Sequence, residues 1–388
     1  MRIAVVASNY PWRSRPYCGT FVRELVWEFA RQGHHCCVVA PVSIWERVRF
    51  GPIESRSVTE SVPRSEAVVH VVRPRIVTAS ARRVGCWNSA ELSDWAFGAA
   101  ANRELDRLVG RLDLVYAHFF YPAGRAAMRF AKRKHVPFFI AHGDDSIDPW
   151  HLRKGKLHFR DVTGVVAVST DNGRFCQEVF AIPESKVAVF PNGVDRTLFF
   201  PRDRVEARRA LGLPVGLPLV AFVGHFISRK GPDRVLSAIE GIPAVKALMI
   251  GEGPMALPSE RIQFQGVVKH EDLPLYLSAA DVFVLPTTGE GSCNAILEAM
   301  ACGLPVVTSN ASFNDDIVIP DVAIRVDPMN VLEIRRATHE VLTDRDLRRR
   351  MSIRCVEWSA GFSIARRASR ITDWMATLLR ASASGGQA

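Results

Sequence analysis

Two glutamates in the second half of the chain have residue types and a spacing that could do chemistry. Glu298 lies in an apolar run, AILEAMA, that reads as the middle of a helix. A carboxylate there is costly unless a donor hydrogen-bonds to it, and a ribose diol would serve. Glu290 lies eight positions earlier, in a loop after an apolar strand, where open α/β sheets bind ligands. A core carboxylate paired with an arginine is the alternative for Glu298.

Two further stretches suit phosphate groups. Residues 291–294 open the helix of Glu298, so their N–H groups and the helix dipole favour phosphate or sugar hydroxyls. Arg229 and Lys230 directly precede Gly231 at the start of another predicted helix. Two cations and a helix dipole at one point suit a diphosphate, and two solvated cations are the alternative.

Candidate ligand-binding residues in the first half also stand at predicted strand ends or helix starts. His118 follows the strand LVYA, Asp144 and Asp145 follow PFFIAHG, and Gly19 precedes the first long helix. A histidine in such a place can donate a hydrogen bond to a sugar or a phosphate. An aspartate can accept a proton from a hydroxyl or cap a helix. The alternatives are a structural histidine, a plain turn glycine and a capping aspartate.

The elements that must position these residues alternate between strand and helix. Around Glu290 the sequence predicts a strand over 281–286, a helix over 294–302 and a strand over 305–309, which is one βαβ crossover. The alternation begins at residue 2, is interrupted by the turn-rich PNGVD and restarts at residue 219. We therefore predict an α/β fold with two domains, 1–194 and 195–361, and a last amphipathic helix over 362–379.

Composition narrows the class of protein. A chain of 388 residues with 48% hydrophobic content can bury two cores. Eight cysteines without a C-x-x-C predict reduced thiols, with no metal site or disulfide framework. No G-x-G-x-x-G follows the first strand, which argues against a dinucleotide oxidoreductase. The apolar runs are too short for a signal peptide or a membrane span of about 18 residues, so we expect a cytoplasmic protein.

Positive charge is concentrated in the first half. Residues 1–200 contain 28 Lys and Arg against 19 Asp and Glu, whereas residues 201–388 contain 22 against 21. Such an excess suits an anionic substrate or membrane surface, and a solvated surface is the alternative. Nucleic acid is not expected, because no aromatic-basic motif of known geometry accompanies the charge. One stretch, with Trp45, Phe50, Ile53 and Trp87 interleaved, contains the crowded residues Arg47, Arg49, Arg56, Arg64, Arg73, Arg75, Arg82 and Arg83.

The motifs together resemble one family. Glu290 and Glu298 match the E-x7-E signature of retaining glycosyltransferases with the GT-B fold, and EGSCNAILEAMACGLPVV resembles their large family-four group. HGDD is similar to the family's HG-x-D, PNGVD to its domain crossing, SRKG to its R-x(0-3)-K-G site and GEGP to its G-x-G-P. Cys18 stands where members often have the first of two glycines. The resemblance implies two Rossmann-like domains with parallel sheets that face each other across a cleft, the first for the acceptor and the second for the donor. It also implies that the last helix, 362–379, packs back on the first domain.

The resemblance also implies an activity, transfer of a sugar from a UDP- or GDP-sugar to a glycan hydroxyl with retention of configuration. It assigns donor-sugar hydroxyls to Glu290, the ribose to Glu298 and the diphosphate to Arg229 and Lys230. The segment 265–277 is expected to frame the base. No metal or other cofactor is implied, because the two aspartates do not form the D-x-D of metal-dependent enzymes. The implied catalytic residues are His118, Glu290, Arg229 and Lys230, and the implied substrate-binding residues are Gly19, Asp144, Gly224, Gly251, Ser292, Cys293, Asn294, Ala295 and Glu298.

The acceptor is less determined. The start of the chain, YPWRSRPYCGTFVREL, resembles members that build bacterial surface polysaccharides, teichuronic acid or capsule on lipid carriers. Together with the basic first half, this implies an enzyme at the inner face of the cell membrane that acts on a lipid-linked glycan, with a soluble acceptor left open. A nucleotide-sugar binding protein without turnover is the alternative function.

Overall fold

Two compact units make up the chain. The first comprises Met1–Phe190 and the chain from Ala368, and the second comprises Pro191–Arg367. The first crossing between units therefore lies four residues before the predicted boundary at 194. The structure, a computed structural model, describes residues 1–16, 18–79, 83–84, 87–143, 147, 152 and 159–384, with the backbone alone at 83, 84, 87 and 382–384.

An eight-stranded sheet organises the first unit. The strands of this unit are β1 Arg2–Ala7, β2 His35–Val39, β3 Val42–Ser43, β4 Ser57–Ser61, β5 Val68–Val72, β6 Arg75–Ile76, β7 Arg83–Val84, β8 Trp87–Asn88, β9 Leu114–His118, β10 Phe138–His142, β11 Gly164–Ala167 and β12 Val187–Val189. The helices are Thr20–Arg31, Glu46–Phe50, Ala90–Asp106, Arg125–Lys134 and Thr170–Phe180. The sheet order is β12-β11-β10-β9-β1-β2-β5-β4, parallel except for the edge pair β4 and β5.

A six-stranded, fully parallel sheet organises the second unit. Its strands are β13 Leu219–Val223, β14 Lys246–Ile250, β15 Ile262–Gly266, β16 Val282–Leu285, β17 Val306–Ser309 and β18 Ala323–Val326. Its helices are Arg204–Ala210, Pro232–Glu240, Leu273–Ala279, Asn294–Ala301, Val331–Thr343 and Arg345–Ser359. The order β15-β14-β13-β16-β17-β18 is the strand order of dinucleotide-binding α/β sheets.

Burial explains why the central strands are continuous apolar runs. Every residue of β9 and β16 is buried, as expected where helices cover both faces of a parallel sheet. At the edge of the first sheet the pattern changes, and β4 alternates between exposed and half-buried residues. Only the continuous runs give a strong sequence signal, so the central strands are the predictable ones.

The last helix, Ile364–Ser384, belongs to both units along its length. Near its start, Ile364 donates a backbone hydrogen bond to Val194 in the second unit (3.0 Å). Farther along, the Trp374 ring packs against Phe139 and Phe190 in the first unit, with ring centroids 5.9 and 5.8 Å apart. Among the helices that the structure describes, none is both long and apolar enough to cross a membrane.

Candidate functional site

The strand order of the second sheet fixes where a ligand can enter. Successive strands are added on one side of β13, through β14 to β15, and then on its other side, from β16 to β18. The strand order therefore reverses between β13 and β16, which are parallel and pair with each other in the middle of the sheet. Loops at the carboxyl ends of two such strands diverge and leave a crevice, the usual ligand site of open α/β sheets. The two loops here are residues 224–231 and residues 286–293, which contain Lys230 and Glu290.

An ion pair joins these two loops. The Lys230 Nζ donates to Oε1 of Glu290, and the two side chains are only 16% and 12% exposed. Hydrogen bonds of Arg229 also connect the same loops. Its carbonyl accepts from the N–H (2.9 Å) and the hydroxyl (3.4 Å) of Thr288, and its guanidinium reaches the carbonyl of Gly289 (3.5 Å). The structure thus brings Lys230 to a glutamate that lies about sixty positions away in sequence, and Arg229 to the backbone beside it.

The side chain of Arg234, which the sequence analysis did not single out, hydrogen-bonds to both loops. Its guanidinium is buried and donates to the carbonyls of Ser228 and Pro286, each at 2.9 Å. These carbonyls belong to the two loops of the crevice, so one side chain fixes their separation. The only sequence signal was an arginine among the apolar residues of a predicted helix, and that signal does not identify a partner.

Gly224 and Gly251 end adjacent strands and lie in direct backbone contact. Gly251 has a φ of +141°, and a Cβ on it would lie 2.0 Å from the carbonyl oxygen of Gly224. The N–H of Gly224 donates to the carbonyl of Ile250 (3.0 Å), so the loops leave the sheet together. Glycine at position 251 is therefore required by packing, whether or not a ligand also approaches it.

The segment Ser292 to Ala295 forms the start of the helix Asn294–Ala301. Ser292 accepts two hydrogen bonds from Asn192, one on its hydroxyl (3.2 Å) and one on its carbonyl (3.0 Å). The amide oxygen of Asn294 is buried without a hydrogen-bond partner among the described residues. Burial, with Glu290 nearby, raises the pKa of the Cys293 thiol to about 12, so this sulfur stays protonated near pH 7. Ala295 is half-buried.

Glu298 has a histidine partner rather than the arginine considered from sequence. Its Oε1 lies 3.0 Å from Nε2 of His270, and the glutamate side chain is 13% exposed. The His270 ring also packs against Phe199, with centroids 5.1 Å apart. His270 comes from the segment expected to frame a base, but its contact with Glu298 was not predicted.

In the first unit the corresponding crevice lies between β1 and β9, where Ala7 is paired with His118. His118 ends β9, is 4% exposed and lies among aromatic rings, with Phe119 at 4.7 Å and Phe21 at 5.3 Å. Gly19 begins the helix of Phe21, and a Cβ on it would lie 2.4 Å from the carbonyl of Asn9. The fold thus places the predicted Gly19 and His118 at the carboxyl ends of the neighbouring strands β1 and β9. The predicted Asp144 and its neighbour Asp145 lie outside the described residues.

The next strand end holds a second histidine, which the sequence analysis did not single out. His142 ends β10 and is 1% exposed. Its Nε2 lies 3.2 Å from the amide nitrogen of Asn172, whose oxygen accepts from the Ser169 hydroxyl (2.8 Å). Because the amide oxygen is occupied, the amide nitrogen donates to His142. The histidine is therefore neutral, and burial lowers its pKa to about 3.

Both halves of the chain match models of known protein families. Residues 18–198 match the model of glycosyltransferase family 4, and residues 203–355 match the model of glycosyl transferases group 1. A protein of Bacillus subtilis, named for teichuronic acid biosynthesis as the glycosyltransferase TuaC, is 31% identical over 206 residues, which are 51% of this chain and 53% of that protein. The match thus spans about half the length of this curated relative.

Solved structures share the whole fold. The sucrose-phosphate synthase of Thermosynechococcus elongatus has a TM-score of 0.79 at 19% identity and covers 98% of this chain and 100% of its own. HepE of Anabaena, solved in complex with UDP, has a TM-score of 0.72 at 16% identity, over 97% of this chain and 100% of its own. With its family 4 region followed by a group 1 region, the chain belongs to the glycosyltransferases of the GT-B fold.

Proposed function

We propose that the protein transfers a sugar from a nucleoside diphosphate sugar, a UDP- or GDP-sugar, to a hydroxyl of a lipid-linked glycan, with retention of configuration. The observation that carries this proposal is the Lys230–Glu290 pair in the crevice between β13 and β16. An ammonium group, a carboxylate and a helix start converge there. Departure of a diphosphate from a sugar needs this set of groups.

Lys230 and Arg229 stabilise the leaving diphosphate. Lys230 lies two residues before the helix Pro232–Glu240, so the dipole of that helix adds to its charge. Preorganised positive groups at the point where negative charge develops lower the barrier by about 3 kcal/mol each. When the donor enters, Lys230 exchanges the Glu290 carboxylate for a phosphate oxygen.

Glu290 is then available for the donor sugar. Its carboxylate accepts hydrogen bonds from sugar hydroxyls in place of the one from Lys230, so neither charge is left unpaired on binding. The buried amide oxygen of Asn294 is a further acceptor at the same helix start. Glu298, held by His270, accepts from the ribose hydroxyls.

Retention follows from a same-face mechanism. The bond between the anomeric carbon and the β-phosphate oxygen breaks as the acceptor oxygen approaches from the same face. The acceptor proton passes to the leaving phosphate oxygen, and the acceptor oxygen bonds to the anomeric carbon. Cys293 does not serve as a covalent nucleophile because its thiol stays protonated. Isolation of a glycosyl-enzyme adduct would contradict this mechanism.

We propose that transfer needs no metal ion, since the cations Arg229 and Lys230 already face the diphosphate. Activity should persist in excess EDTA and should not rise on addition of Mg²⁺ or Mn²⁺. A loss of activity in EDTA that Mn²⁺ restores would overturn this part of the proposal.

A lipid-linked acceptor implies membrane contact. We propose this contact for only one part of the arginine-rich stretch. Arg73 of that stretch is fully buried, with salt bridges to Glu54 and Glu60 (3.3 Å each), so it is a core residue and not part of any contact surface. Exposed residues instead cluster at the helix Glu46–Phe50. They are Ile44, Trp45, Arg47, Val48 and Arg49.

The membrane proposal predicts that Arg47→Gln/Arg49→Gln weakens binding to anionic vesicles by about 2 kcal/mol, near thirtyfold, because each cation contributes about 1 kcal/mol. Activity on a soluble acceptor should be kept. Unchanged vesicle binding would leave a soluble glycan as the acceptor.

A thermal-shift screen with UDP, GDP, ADP and dTDP and their sugars tests the donor site first. A ligand at about one hundred times its dissociation constant stabilises the protein by about 2.7 kcal/mol. UDP is the first choice because HepE was solved with UDP. A shift with one nucleotide, lost in Glu298→Ala and in Lys230→Ala, would support the donor site. Binding without product on any glycan acceptor would favour a nucleotide-sugar binding protein.

A further inference from the structure

A cavity of about 620 Å³ lies in the second unit at the edge of the sheet opposite the predicted donor crevice. Asp281, which lines it, directly precedes β16, whereas Glu290 follows that strand. Pro305, also in the lining, directly precedes β17. Because a strand advances about 3.3 Å per residue, the four residues of β16 separate the two sites by about 13 Å or more.

Five arginines and two aspartates line this cavity. The arginines come from the segment before the helix Arg204–Ala210, from that helix and from the helix Arg345–Ser359. They are Arg202, Arg204, Arg345, Arg348 and Arg349, and the aspartates are Asp203 and Asp281.

Both aspartates are already engaged. Asp281 accepts from Arg204, from Arg208 (2.7 Å) and from the N–H of Leu219 (2.8 Å). Asp203 accepts from the N–H of Glu206 (2.8 Å) and caps the helix that begins at Arg204. No carboxylate of the described residues lies within salt-bridge distance of the four remaining arginines, Arg202, Arg345, Arg348 and Arg349.

Arg348 shows that this charge is crowded. Its guanidinium donates to the carbonyls of Leu342 (2.7 Å) and Val341 (3.3 Å), which are neutral acceptors. Burial lowers the pKa of Arg348, and the charges of Arg204, Arg345 and Arg208 lower it further, against the opposing effect of Asp281. An anion bound in the cavity would offset this repulsion.

We propose that this cavity is a second anion site, which binds a phosphate or diphosphate group independently of the donor crevice. Guanidinium groups bind phosphate oxygens through paired, parallel hydrogen bonds, and several of them line one open cavity here. The lining also includes Val205, Leu277 and Leu304, whose apolar side chains suit a hydrophobic or ring portion attached to the phosphate. The phosphate belongs either to a soluble metabolite or to a lipid headgroup, because both present the same chemistry.

Inorganic pyrophosphate, titrated by calorimetry, tests this site in an Arg229→Ala/Lys230→Ala background, which removes both cations of the donor crevice. Arg345→Gln/Arg349→Gln should weaken pyrophosphate binding at least tenfold. Arg350→Gln is the matched control, because Arg350 follows Arg349 on the same helix but lines a different groove. The control should bind as the background does. Absence of binding in the background, or equal binding in the Arg345→Gln/Arg349→Gln variant, would overturn the proposal.

Vesicles of phosphatidylcholine containing phosphatidic acid distinguish the two sources. If Arg345→Gln/Arg349→Gln reduces flotation with these vesicles and pyrophosphate competes with them, the ligand is a lipid headgroup. If only pyrophosphate binding is reduced, the ligand is soluble.

Stability without anion gives a further test. The exposed Arg345 and Arg349 have no ion pair to lose among the described residues, so the Arg345→Gln/Arg349→Gln variant should be at least as stable as the parent. A loss of stability would contradict repulsion between these arginines.

Discussion

The carboxyl edges of the two sheets differ in chemistry although both units are built from parallel strands. In the second unit the edge is charged and connected across the crevice, through Lys230–Glu290 and His270–Glu298. In the first unit the edge holds histidines among aromatic rings, with His118 against Phe119 and Phe21. Among the residues that the structure describes, the groups suited to a diphosphate therefore lie mainly at the edge of the second sheet.

Net charge does not reveal this division. The first 200 residues carry almost all of the positive excess, yet the cations proposed to bind a diphosphate, Arg229 and Lys230, lie in the nearly neutral second half. A diphosphate site needs a few cations at one point on rigid elements, whereas an excess spread over a surface acts at longer range. Substitutions at the two edges should therefore differ in both the kind and the size of their effects.

Lys230→Ala should reduce kcat by two to three orders of magnitude, about 3 to 4 kcal/mol, because it removes a cation from the leaving diphosphate and leaves Glu290 without its partner. Steady-state kinetics with the donor that the thermal screen identifies would measure this. Lys246→Ala is the control, since Lys246 begins β14 at the opposite edge of the same sheet. If both variants lose activity equally, the charged edge has no special part in the reaction.

Gly251→Ala should destabilise the second unit by about 3 kcal/mol, because a Cβ there meets the carbonyl of Gly224 at 2.0 Å and the φ of +141° is unfavourable for alanine. Hydrogen exchange of β13 and β14 would report the loss in that unit alone. Gly216→Ala is the control, since no atom lies within 4 Å of a Cβ at 216. Gly19→Ala should produce the equivalent loss in the first unit, where the contact with Asn9 is 2.4 Å.

The first unit should lose stability in mild acid through His142. Its pKa is about 3 when folded and near 6.5 when unfolded, so the unfolded chain binds the extra proton as the pH falls below 6.5. The free energy of unfolding should therefore fall by about 2 kcal/mol between pH 7 and pH 5, and the fall should continue to about pH 3. Hydrogen exchange in β9 to β11 measures this for the first unit, where global unfolding of a two-unit chain is ambiguous.

His142→Gln supplies the matched variant, because a glutamine can accept from Asn172 without titrating. Its stability should change less between pH 7 and pH 5 than that of the parent. An unchanged slope would mean that another group controls the acid sensitivity of this edge.

Most of the second sheet was predictable from sequence, and the reason is its burial. Strand β13 begins at the predicted residue 219, and β16 and β17 lie within one residue of their predicted bounds, 281–286 and 305–309, since continuous apolar runs between turn residues leave little ambiguity. The polar edge strand β4, SVTES, was not predicted, because half-exposed residues at a sheet edge carry no such signal. The short helices Arg204–Ala210 and Leu273–Ala279 were also missed.

Partners within the site were less predictable than its principal residues. Glu290 and Lys230 could be proposed from local motifs, but Arg234 and His270 act through contacts 52 and 28 positions away in sequence. Such pairs depend on which strands become neighbours, and a single sequence does not state strand order. The buried state of Arg73 was hidden for the same reason, because its partners lie in and just before the edge strand β4, which the pattern did not reveal.

The prediction with the smallest expected effect concerns His270, whose partner Glu298 is proposed to bind the ribose and not the phosphates. His270→Phe keeps the ring packing on Phe199 but removes the hydrogen bond to Glu298. Loss of one such bond to a charged group costs about 1.5 kcal/mol, so UDP should bind about tenfold more weakly. Pyrophosphate, which has no ribose, should bind to the variant as it does to the parent when both chains also carry Arg345→Gln/Arg349→Gln, which removes the proposed second anion site. Calorimetry with both ligands measures the difference.

His339→Phe is the control for that variant, because His339 is exposed on another helix of the same unit. If His270→Phe weakens pyrophosphate and UDP equally, the histidine supports the whole edge rather than the ribose end. If neither ligand is affected while Glu298→Ala still abolishes UDP binding, Glu298 holds its position through the helix alone. Either result would leave Lys230–Glu290 as the feature that distinguishes the second sheet from the first.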